Sequence, residues 1–350
     1  MLLTSRLLAC TAIAAVAHLQ VATAKYTLQE DYSGLDFFSK FQFVTVDDPT
    51  HGFVDYVDEA EARRLGLIWE TDNLVYIGVD HSNIIGAWCR RGRPSVRLES
   101  RASYTHGLII GSFWHMPGGD CGTWPAFWTY GPNWPNSGEI DIVEGVHRQA
   151  TNAMALHTST NCTVDGTQSG TWVHHDCSPA TPDNAGCGVQ SNTPNSFGTA
   201  FNANRGGVYA TLWTSSGIQI WFFPRDRIPH DINVGNPKPE TWGIPEANYS
   251  KPCDFDAHFQ QHWITLNVAF CGDWAGSVWS SSGCSSPQWP SCNCYVAMNP
   301  ASFINTFWLV ESIKVYQYQD RGGHHGAEPA SEGLTLQTQA GAGAGAGADY

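Results

Sequence analysis

The sequence has few charged residues, and few basic ones in particular. Asp, Glu, Lys and Arg make up 14% of the 350 residues, whereas about 25% is usual for a soluble domain. Lys and Arg number 18 against 32 acidic residues, which gives a net charge of −14. Nucleic acids and anionic membranes attract basic surfaces, so the sequence predicts neither as a partner.

Long hydrophobic runs are also scarce, with one exception at the N-terminus. Arg6 precedes an apolar run over 7–21, and residues 22–24 are small, at the spacing that a signal peptidase accepts. A transmembrane anchor is the alternative, but the run is too short to span a bilayer and no stop-transfer charge follows. We therefore predict a signal peptide at 1–24 and a secreted, extracellular protein. No later segment is predicted to cross a membrane.

The cysteines lack the paired C-x-x-C spacing of zinc sites. Of the 11, Cys10 lies in the predicted signal peptide, which leaves ten. An even number in a secreted chain predicts disulfides, although the spacing does not determine their pairing. Cys292 and Cys294 are too close to bridge each other easily, so each is predicted to have a partner elsewhere. The sequons at Asn161 and Asn248 are consistent with N-glycans.

Convincing helical repeats are few, whereas short alternating apolar runs between Gly, Pro, Asn and Ser are common. These runs lie at 52–57, 73–79, 95–98, 107–110, 208–213, 218–223, 263–270 and 311–316. Strands at this density predict an antiparallel sandwich or barrel, and we expect a continuous sandwich over 25–319. Residues 320–350 have almost no large apolar side chain to bury and are predicted to be a disordered Gly/Ala-rich tail.

Aromatic residues are abundant, at 12% of the chain with 15 Trp. A Trp side chain is well placed where it fills a core or where its flat face packs on another apolar surface. The C–H face of a sugar ring is such a surface. We therefore expect some of the tryptophans in the core and others in a sugar-binding groove.

The segment 136–146 has the pattern of a buried strand that three carboxylates interrupt. Glu139 and Asp141 share one face because side chains alternate along a strand. Glu144 lies five positions after Glu139 and would point to the opposite face of a regular strand. A β-bulge at 142–143 would return it to the shared face.

Three carboxylates on one face suit the hydrolysis of glycosides. A retaining enzyme needs two carboxyl groups about 5–5.5 Å apart, and residues two apart on a strand are separated by about 6.6 Å. Glu139 and Glu144 could therefore approach that separation on a curved sheet. Asp141 would orient Glu139, and its charge would favour the protonated form of Glu144. Taken alone, E-x-D-x-x-E also fits a solvated acidic edge or a cation site.

The residues around this strand make the pattern more specific. Trp124, Trp128 and Trp134 precede it and would line a groove beside the acids. Residues 139–144 match the motif E-[ILV]-D-[IV]-x-E, and in this context the chain resembles glycoside hydrolase family 16, in particular the secreted fungal endo-1,3(4)-β-glucanases, or laminarinases. Further similar stretches lie at 48–52, 95–97, 115–117, 121–126, 152–158, 187–190, 201–204, 221–224, 270–276 and 315–317.

The resemblance implies a β-jelly-roll sandwich of two antiparallel sheets with a concave substrate cleft. It implies an endo-acting hydrolase that cleaves 1,3- and mixed 1,3/1,4-β-D-glucans, such as laminarin and lichenan, by retaining double displacement. Glu139 would be the nucleophile, Glu144 the acid/base and Asp141 an assisting residue.

Six further residues are predicted to bind the glucan: Trp128, Trp134, Trp274, Arg97, His157 and Trp124. The first three resemble the family's sugar-stacking tryptophans, and Arg97 and His157 resemble its hydroxyl-binding residues. The alternatives are a surface ion pair for Arg97, a core position for His157 and a structural role for Trp124. Cys89 and one of Cys292 or Cys294 are additional to the resemblance and suggest an added bridge.

Two other functions fit the same residues. A cell-wall transglycosylase would form the same glycosyl-enzyme and pass the sugar to another sugar, whereas a β-glucan-binding lectin would have lost catalysis. Both glutamates are present, which disfavours the lectin. We expect a monomer whose partner is a β-glucan polysaccharide, and no cofactor or catalytic metal. A structural calcium, as some relatives carry, is compatible with the sequence, but its ligands cannot be assigned.

Overall fold

The structure is a computed structural model that describes residues 25–86 and 92–319. The predicted signal peptide (1–24), Cys89 and the predicted tail (320–350) lie outside the described residues. Within the described ranges the strands are β1 (Lys25–Tyr32), β2 (Phe41–Phe43), β3 (Val54–Tyr56), β4 (Ile68–Glu70), β5 (Val75–Gly78), β6 (Arg93–Ser95), β7 (Arg97–Tyr104), β8 (Gly107–His115), β9 (Thr123–Tyr130), β10 (Glu139–Glu144), β11 (Ala153–His157), β12 (Thr171–Trp172), β13 (Cys187–Gln190), β14 (Gly207–Thr214), β15 (Gly217–Pro224), β16 (Ala247–Ser250), β17 (His262–Phe270) and β18 (Phe307–Gln319).

Helices in the described ranges are short and lie in the connections. The α-helices are α1 (Glu59–Arg64), α2 (Gly198–Ala203), α3 (His230–Asn233), α4 (Phe255–His258) and α5 (Cys292–Met298). A π-helical turn spans Gly272–Gly276, and 3-10 turns span Gly34–Asp36, Phe38–Lys40, Pro182–Asn184, Arg225–Arg227, Pro239–Thr241 and Pro300–Phe303. None of these helices has the length and apolar composition that crossing a membrane requires.

The strands form two large antiparallel sheets. The first has the order β16-β15-β14-β8-β18-β5-β4, with β1 paired to β18, and the second has the order β12-β13-β11-β10-β9-β17-β7-β2. The short strands β3 and β6 pair in parallel beside them. Each run that alternation predicted as a strand overlaps an observed strand. The predicted all-β sandwich is therefore confirmed.

The main core lies between the two sheets. Phe113 on β8 of the first sheet and Phe127 on β9 of the second pack edge to face, with ring centroids 5.2 Å apart. Trp308 on β18 contacts Phe113 at 5.2 Å, and all three side chains are fully buried. Burying a side chain of this kind contributes about 1.5–3 kcal/mol. Because one face of the second sheet is committed to this core, its outward face can hold polar side chains.

Four disulfides connect the loops: Cys121–Cys284, Cys162–Cys253, Cys177–Cys187 and Cys271–Cys292. The prediction of a partner elsewhere in the chain is confirmed for Cys292. Cys294 has no disulfide partner among the described residues, and Cys89 lies outside them. Such a set of bridges is typical of proteins that fold in an oxidising compartment.

Candidate active site

The β-bulge predicted in the acidic strand is present. On β11, Ala155 lies opposite Asp141 and Ala153 lies opposite Glu144. The step from Asp141 to Glu144 therefore covers three residues of β10 but two of β11, which defines a bulge. Both side chains at 142–143 are fully buried in the core. Glu144 thus returns to the outward face that Asp141 occupies.

Neighbouring strands bring aromatic and charged side chains to the same face. Paired residues form three rows across β7, β17, β9 and β10. In that order the rows are Arg97–Asn267–Ala126–Glu144, Glu99–Thr265–Trp128–Asp141 and Ser103–Trp263–Tyr130–Glu139. Trp124 lies two residues before Ala126 on β9 and shares its face. The strand register therefore gathers residues that are far apart in the sequence beside the three acids.

Glu139 is held by the loop between β9 and β10. The indole Nε1–H of Trp134 donates a hydrogen bond to Oε2 of Glu139, and the Trp134 side chain is half-exposed. The buried His262 contacts this loop, because its Nε2 lies 2.7 Å from the carbonyl oxygen of Ser137. Its Nδ1 lies 2.8 Å from the hydroxyl of Thr129. The nucleophile candidate thus has an oriented and partly exposed carboxylate.

Glu144 is held by β9. The indole Nε1–H of Trp124 donates to Oε1 of Glu144 at 2.6 Å. Burial raises the pKa of Glu144 to about 7, and the charge of Glu139 adds to this, while the Trp124 hydrogen bond and His157 oppose it. A carboxyl group with such a pKa retains its proton up to nearly neutral pH, so it can act as a general acid.

The buried Asp141 and the partly buried His157 form a pair between the two glutamates. Oδ2 of Asp141 lies 3.2 Å from Nε2 of His157. Burial alone would lower the pKa of His157, but Asp141, Glu139 and Glu144 raise it to about 9. The imidazole therefore carries a positive charge at neutral pH.

The charge of Asp141 was predicted to favour the protonated form of Glu144, but the neighbouring charge that raises the pKa of Glu144 is that of Glu139. Burial raises the pKa of Asp141 well above its usual range, and the charges of Glu139 and Glu144 raise it further. Asp141 is 2% exposed, so it has less access to water than the glutamates on either side. We attribute the larger effect on Asp141 to this burial.

Arg97 lies on the cleft face, where 8% of its surface is exposed. Its guanidinium bonds to Oε1 of Glu99 at 2.9 and 3.2 Å and lies 5.1 Å from the ring centroid of Trp128. The indole of Trp128 donates to Oδ1 of Asn267 at 2.7 Å. Arg97 and Glu99 are both buried, so the alternative of an ordinary surface ion pair is wrong.

Trp274 lies in the π-helical turn and approaches Glu144 through Trp124. The two indole rings pack edge to face, with centroids 5.8 Å apart. The Cys271–Cys292 bridge lies at the start of the turn. His147 connects the turn to the segment before β9, because its Nδ1 accepts from the N–H of Gly122 at 2.9 Å and its Nε2 lies 2.7 Å from the carbonyl oxygen of Ala275. The structure thus brings together all nine residues predicted for the site.

Several residues of the site were missed by the sequence analysis. Glu99 and Tyr130 lie two positions after predicted site residues on the same strands, so alternation alone could have found them. The hydroxyl of Tyr130 donates to Glu99 at 2.7 Å. Asn267 and Asn152 contact the site through pairings between segments distant in sequence. Asn152 begins the stretch 152–158 that resembles the family, but its contact with the bulge is not visible in that stretch.

Two groups of described residues have the composition of metal ligands. Ligand atoms of Glu139, Asp141 and His157 lie within 4.8 Å of one another, as do those of Cys162, Cys253 and His258. In the first group the acids also raise the pKa of His157 to about 9, so a proton would compete with a metal for the imidazole. The cysteines of the second group form a disulfide.

Comparison with known sequences identifies a family. Residues 41–316 match the family model described as "XgeA-like, catalytic GH16 domain". An endo-1,3(4)-β-glucanase from Arthroderma benhamiae is 43% identical over 305 residues, which are 85% of this chain and 66% of that protein. A probable glycosidase from Schizosaccharomyces pombe is 44% identical over 84% of this chain and 70% of its own length. The endo-1,3(4)-β-glucanase xgeA from Emericella nidulans is 42% identical over 89% of this chain and 50% of its own length. The chain thus spans between half and 70% of the length of these relatives.

Solved structures support the same assignment. Laminarinase 16A from Phanerochaete chrysosporium, which holds β-glucans in donor and acceptor sites, superposes with a TM-score of 0.80 at 41% identity, over 84% of this chain and 100% of that chain. An elongating family 16 β-1,3-glucosyltransferase superposes with a TM-score of 0.79 at 44% identity, over 83% of this chain and 99% of that chain. The jelly-roll arrangement of the two sheets is therefore confirmed, and the chain belongs to glycoside hydrolase family 16.

Proposed function

We propose that the chain is a secreted, endo-acting β-glucan hydrolase that cleaves 1,3- and mixed 1,3/1,4-β-D-glucans with retention of configuration. The observation that carries the proposal is the bulged strand β10, which presents Glu139 and Glu144 on one face, each oriented by an indole N–H. The endo-1,3(4)-β-glucanases at 42–43% identity support the substrate class.

In the first step, the carboxylate of Glu139 attacks the anomeric carbon while Glu144 gives its proton to the glycosidic oxygen. The bond between that carbon and oxygen breaks, and a covalent glycosyl ester on Glu139 remains. The raised pKa of Glu144 keeps the required proton available near neutral pH.

In the second step, Glu144 acts as a base. The ester removes the charge of Glu139, which is one of the causes that raise the pKa of Glu144, so this pKa falls when the intermediate forms. Glu144 then takes a proton from water as the water oxygen attacks the anomeric carbon and Glu139 departs. Two inversions at the same carbon give net retention. The protonated His157, which lies 3.2 Å from Asp141, balances negative charge between the glutamates.

We assign substrate binding to the residues that surround these acids. Trp128, Trp134 and Trp274 would stack on sugar rings, and Arg97 and His157 would contact hydroxyl groups. Trp124 has a further role, since its indole donates directly to Glu144. No role in the scheme requires a metal or a second subunit, and we propose a monomer. The four disulfides and the predicted signal peptide support secretion.

Transglycosylation is the second candidate, because the solved glucosyltransferase is 44% identical with a TM-score of 0.79. Both reactions share the first step and differ in whether water or a sugar hydroxyl accepts the glycosyl group. Products longer than the substrate would identify the transferase.

Product analysis tests the proposal. Laminarin, lichenan and cellulose are digested, and NMR follows the first-formed anomer while chromatography follows chain length. We expect short β-anomeric products from laminarin and lichenan.

A nucleophile variant completes the test. Glu139→Ser should abolish cleavage by several orders of magnitude while laminarin still binds, whereas exposed Glu240→Ser should retain full activity. An α-anomer formed first, or normal turnover by Glu139→Ser, would rule the assignment out. Laminarin binding without turnover by the unmodified chain would identify the lectin instead.

A further inference from the structure

The bulge in β10 interrupts its ladder with β11, and the backbone groups inside it need other partners. Asn152, which directly precedes β11, supplies two of them. Its Nδ2 donates to the carbonyl oxygen of Ile142 at 2.8 Å, and its Oδ1 accepts from the backbone N–H of Glu144 at 3.0 Å. One amide side chain therefore spans the bulge on the side that faces β11.

The chemistry of this contact requires an amide. A backbone N–H can only donate and a backbone carbonyl can only accept, so the two partners determine which way the amide group faces. An ionised Asp at this position would place a second acceptor against the carbonyl of Ile142. An apolar residue would leave both backbone groups unpaired. Asn152 is 0% exposed, so water does not replace a lost bond easily.

Asn152 is itself held by a rigid frame. Its backbone N–H donates to Oγ of Ser196 at 3.0 Å, and its carbonyl accepts from the N–H of Ser191 at 2.8 Å. The Tyr209 hydroxyl, on β14 of the first sheet, donates to the carbonyl of Ser196. A continuous set of hydrogen bonds thus runs from the first sheet through Asn152 to the backbone of Glu144.

We propose that Asn152 is a positioning residue that sets where the carboxyl group of Glu144 meets the glycosidic oxygen. This inference rests on the proposed function of Glu144 as acid/base. Asn152 acts through the backbone of Glu144, whereas Trp124 bonds to its carboxyl group. A displacement of about 1 Å in such a group can reduce the rate by about 100-fold.

Two variants and a matched control test the proposal. Asn152→Asp keeps the shape and removes the donor, and Asn152→Ala removes both bonds without adding charge. Asn202 is the control, because its amide also bonds in two directions to one backbone segment. It donates to the carbonyl of Met116 and accepts from its N–H, both at 2.9 Å. Asn202→Asp should therefore lose the same kind of two-way backbone contact at Met116, a segment that does not include Glu144.

The measurement compares leaving groups. A misplaced acid matters for natural laminarin, whose leaving oxygen needs a proton, but little for a 2,4-dinitrophenyl laminarioside, whose leaving group needs none. We expect kcat on laminarin to fall by about 100-fold in both Asn152 variants with KM nearly unchanged. Cleavage of the dinitrophenyl bond should fall less than about 10-fold.

Azide provides a second readout. It attacks the anomeric carbon of the glycosyl-enzyme and displaces the carboxylate of Glu139 without needing a base. Azide should therefore accelerate turnover of the dinitrophenyl substrate by the Asn152 variants and yield the β-glycosyl azide. The wild-type chain and Asn202→Asp should give no such product.

Active-site titration corrects for misfolded protein. A dinitrophenyl 2-deoxy-2-fluoro-laminarioside traps the ester on Glu139 and counts competent molecules. The inference fails, and Asn152 is a structural residue, if the Asn152 variants lose activity per competent molecule to the same extent on laminarin and on the dinitrophenyl substrate. It also fails if they lose only stability, as Asn202→Asp is expected to do. If Glu144→Ala shows the leaving-group pattern and the Asn152 variants do not, the inference fails while the proposed function stands. If Glu144→Ala lacks the pattern, the proposed function fails.

Discussion

Replacing Trp124 by Phe should move the pH dependence of catalysis to higher pH. The indole N–H of Trp124 donates to the carboxyl group of Glu144 at 2.6 Å and thereby lowers the pKa of Glu144, against the larger effect of burial. Phe retains an aromatic ring beside Trp274 but has no donor. The ionised form of Glu144 loses its partner, so its pKa rises.

The size of the effect follows from the strength of this hydrogen bond. A hydrogen bond to a charged group contributes about 1.5–3 kcal/mol, and about 1.36 kcal/mol corresponds to one pH unit. Burial, assisted by the charge of Glu139, raises the pKa of Glu144 to about 7 in the unmodified site. We therefore expect the alkaline limb of kcat/KM to move from about pH 7 to about pH 8–9 in Trp124→Phe.

The assay is the pH profile of kcat/KM on laminarin, which reports ionisations of the free enzyme. Trp128→Phe is the control, because the indole of Trp128 donates to Asn267 rather than to a carboxylate. That variant should raise KM and leave the alkaline limb in place. An alkaline limb that stays fixed or moves to lower pH in Trp124→Phe would refute the reasoning. An equal movement in both variants would show that general changes in the cleft, and not the hydrogen bond, determine it.

Three further predictions concern stability. Burial lowers the pKa of His262 to about 4, so between about pH 6.5 and 4 the unfolded chain binds a proton that the folded chain does not. The free energy of unfolding should fall by up to about 3 kcal/mol over this range, and urea titrations should show that His262→Gln removes most of that dependence; an unchanged dependence would contradict the assignment. Replacing Cys271 and Cys292 together by Ala removes a bridge across 21 residues, which should reduce the free energy of unfolding by about 3 kcal/mol and raise KM, since the turn beside the bridge carries a cleft tryptophan; a variant as stable as the wild type would be inconsistent with this. Arg97→Met should reduce the free energy of unfolding by about 3–5 kcal/mol because it leaves the buried Glu99 without its cationic partner. Adding Glu99→Gln should recover much of that loss in the same titration, and no recovery would exclude charge burial as the cause.

Much of the fold could be predicted because its signals are local. In β14, side chains alternate between the core between the sheets and a second apolar cluster on the other face of the first sheet. This alternation is visible without knowing which strands pair. The pairing of Cys121 with Cys284, 163 residues apart, is not visible in this way. It depends on the strand order, which follows from contacts between segments that are distant in sequence.

The acids of the site could be predicted for a different reason. Burying unpaired carboxylates is unfavourable, so an acid that follows two β-branched residues in a strand needs a structural explanation, and a bulge provides one. The partners of these acids could not be predicted. The contact of Trp124 with Glu144 depends on the register between β9 and β10, and the contact of Asn152 depends on where β11 begins. Neither the register between β9 and β10 nor the contact made at the start of β11 can be read from the local sequence.

The bulge reconciles two demands on the same six residues. The inward side must fill the core, and Ile140, Ile142 and Val143 are all fully buried there. The outward side must present acids, and a regular strand cannot bury two consecutive residues on one face. The extra residue allows both, and Glu144 still lies opposite Ala153, two positions from the partner of Asp141, as in an uninterrupted strand. The strand therefore buries one more side chain in the core without displacing Glu144 along the sheet. This requires that another group, here the amide of Asn152, pairs with the backbone groups inside the bulge. For this reason the packing of the sandwich and the placement of the acid/base depend on the same few hydrogen bonds.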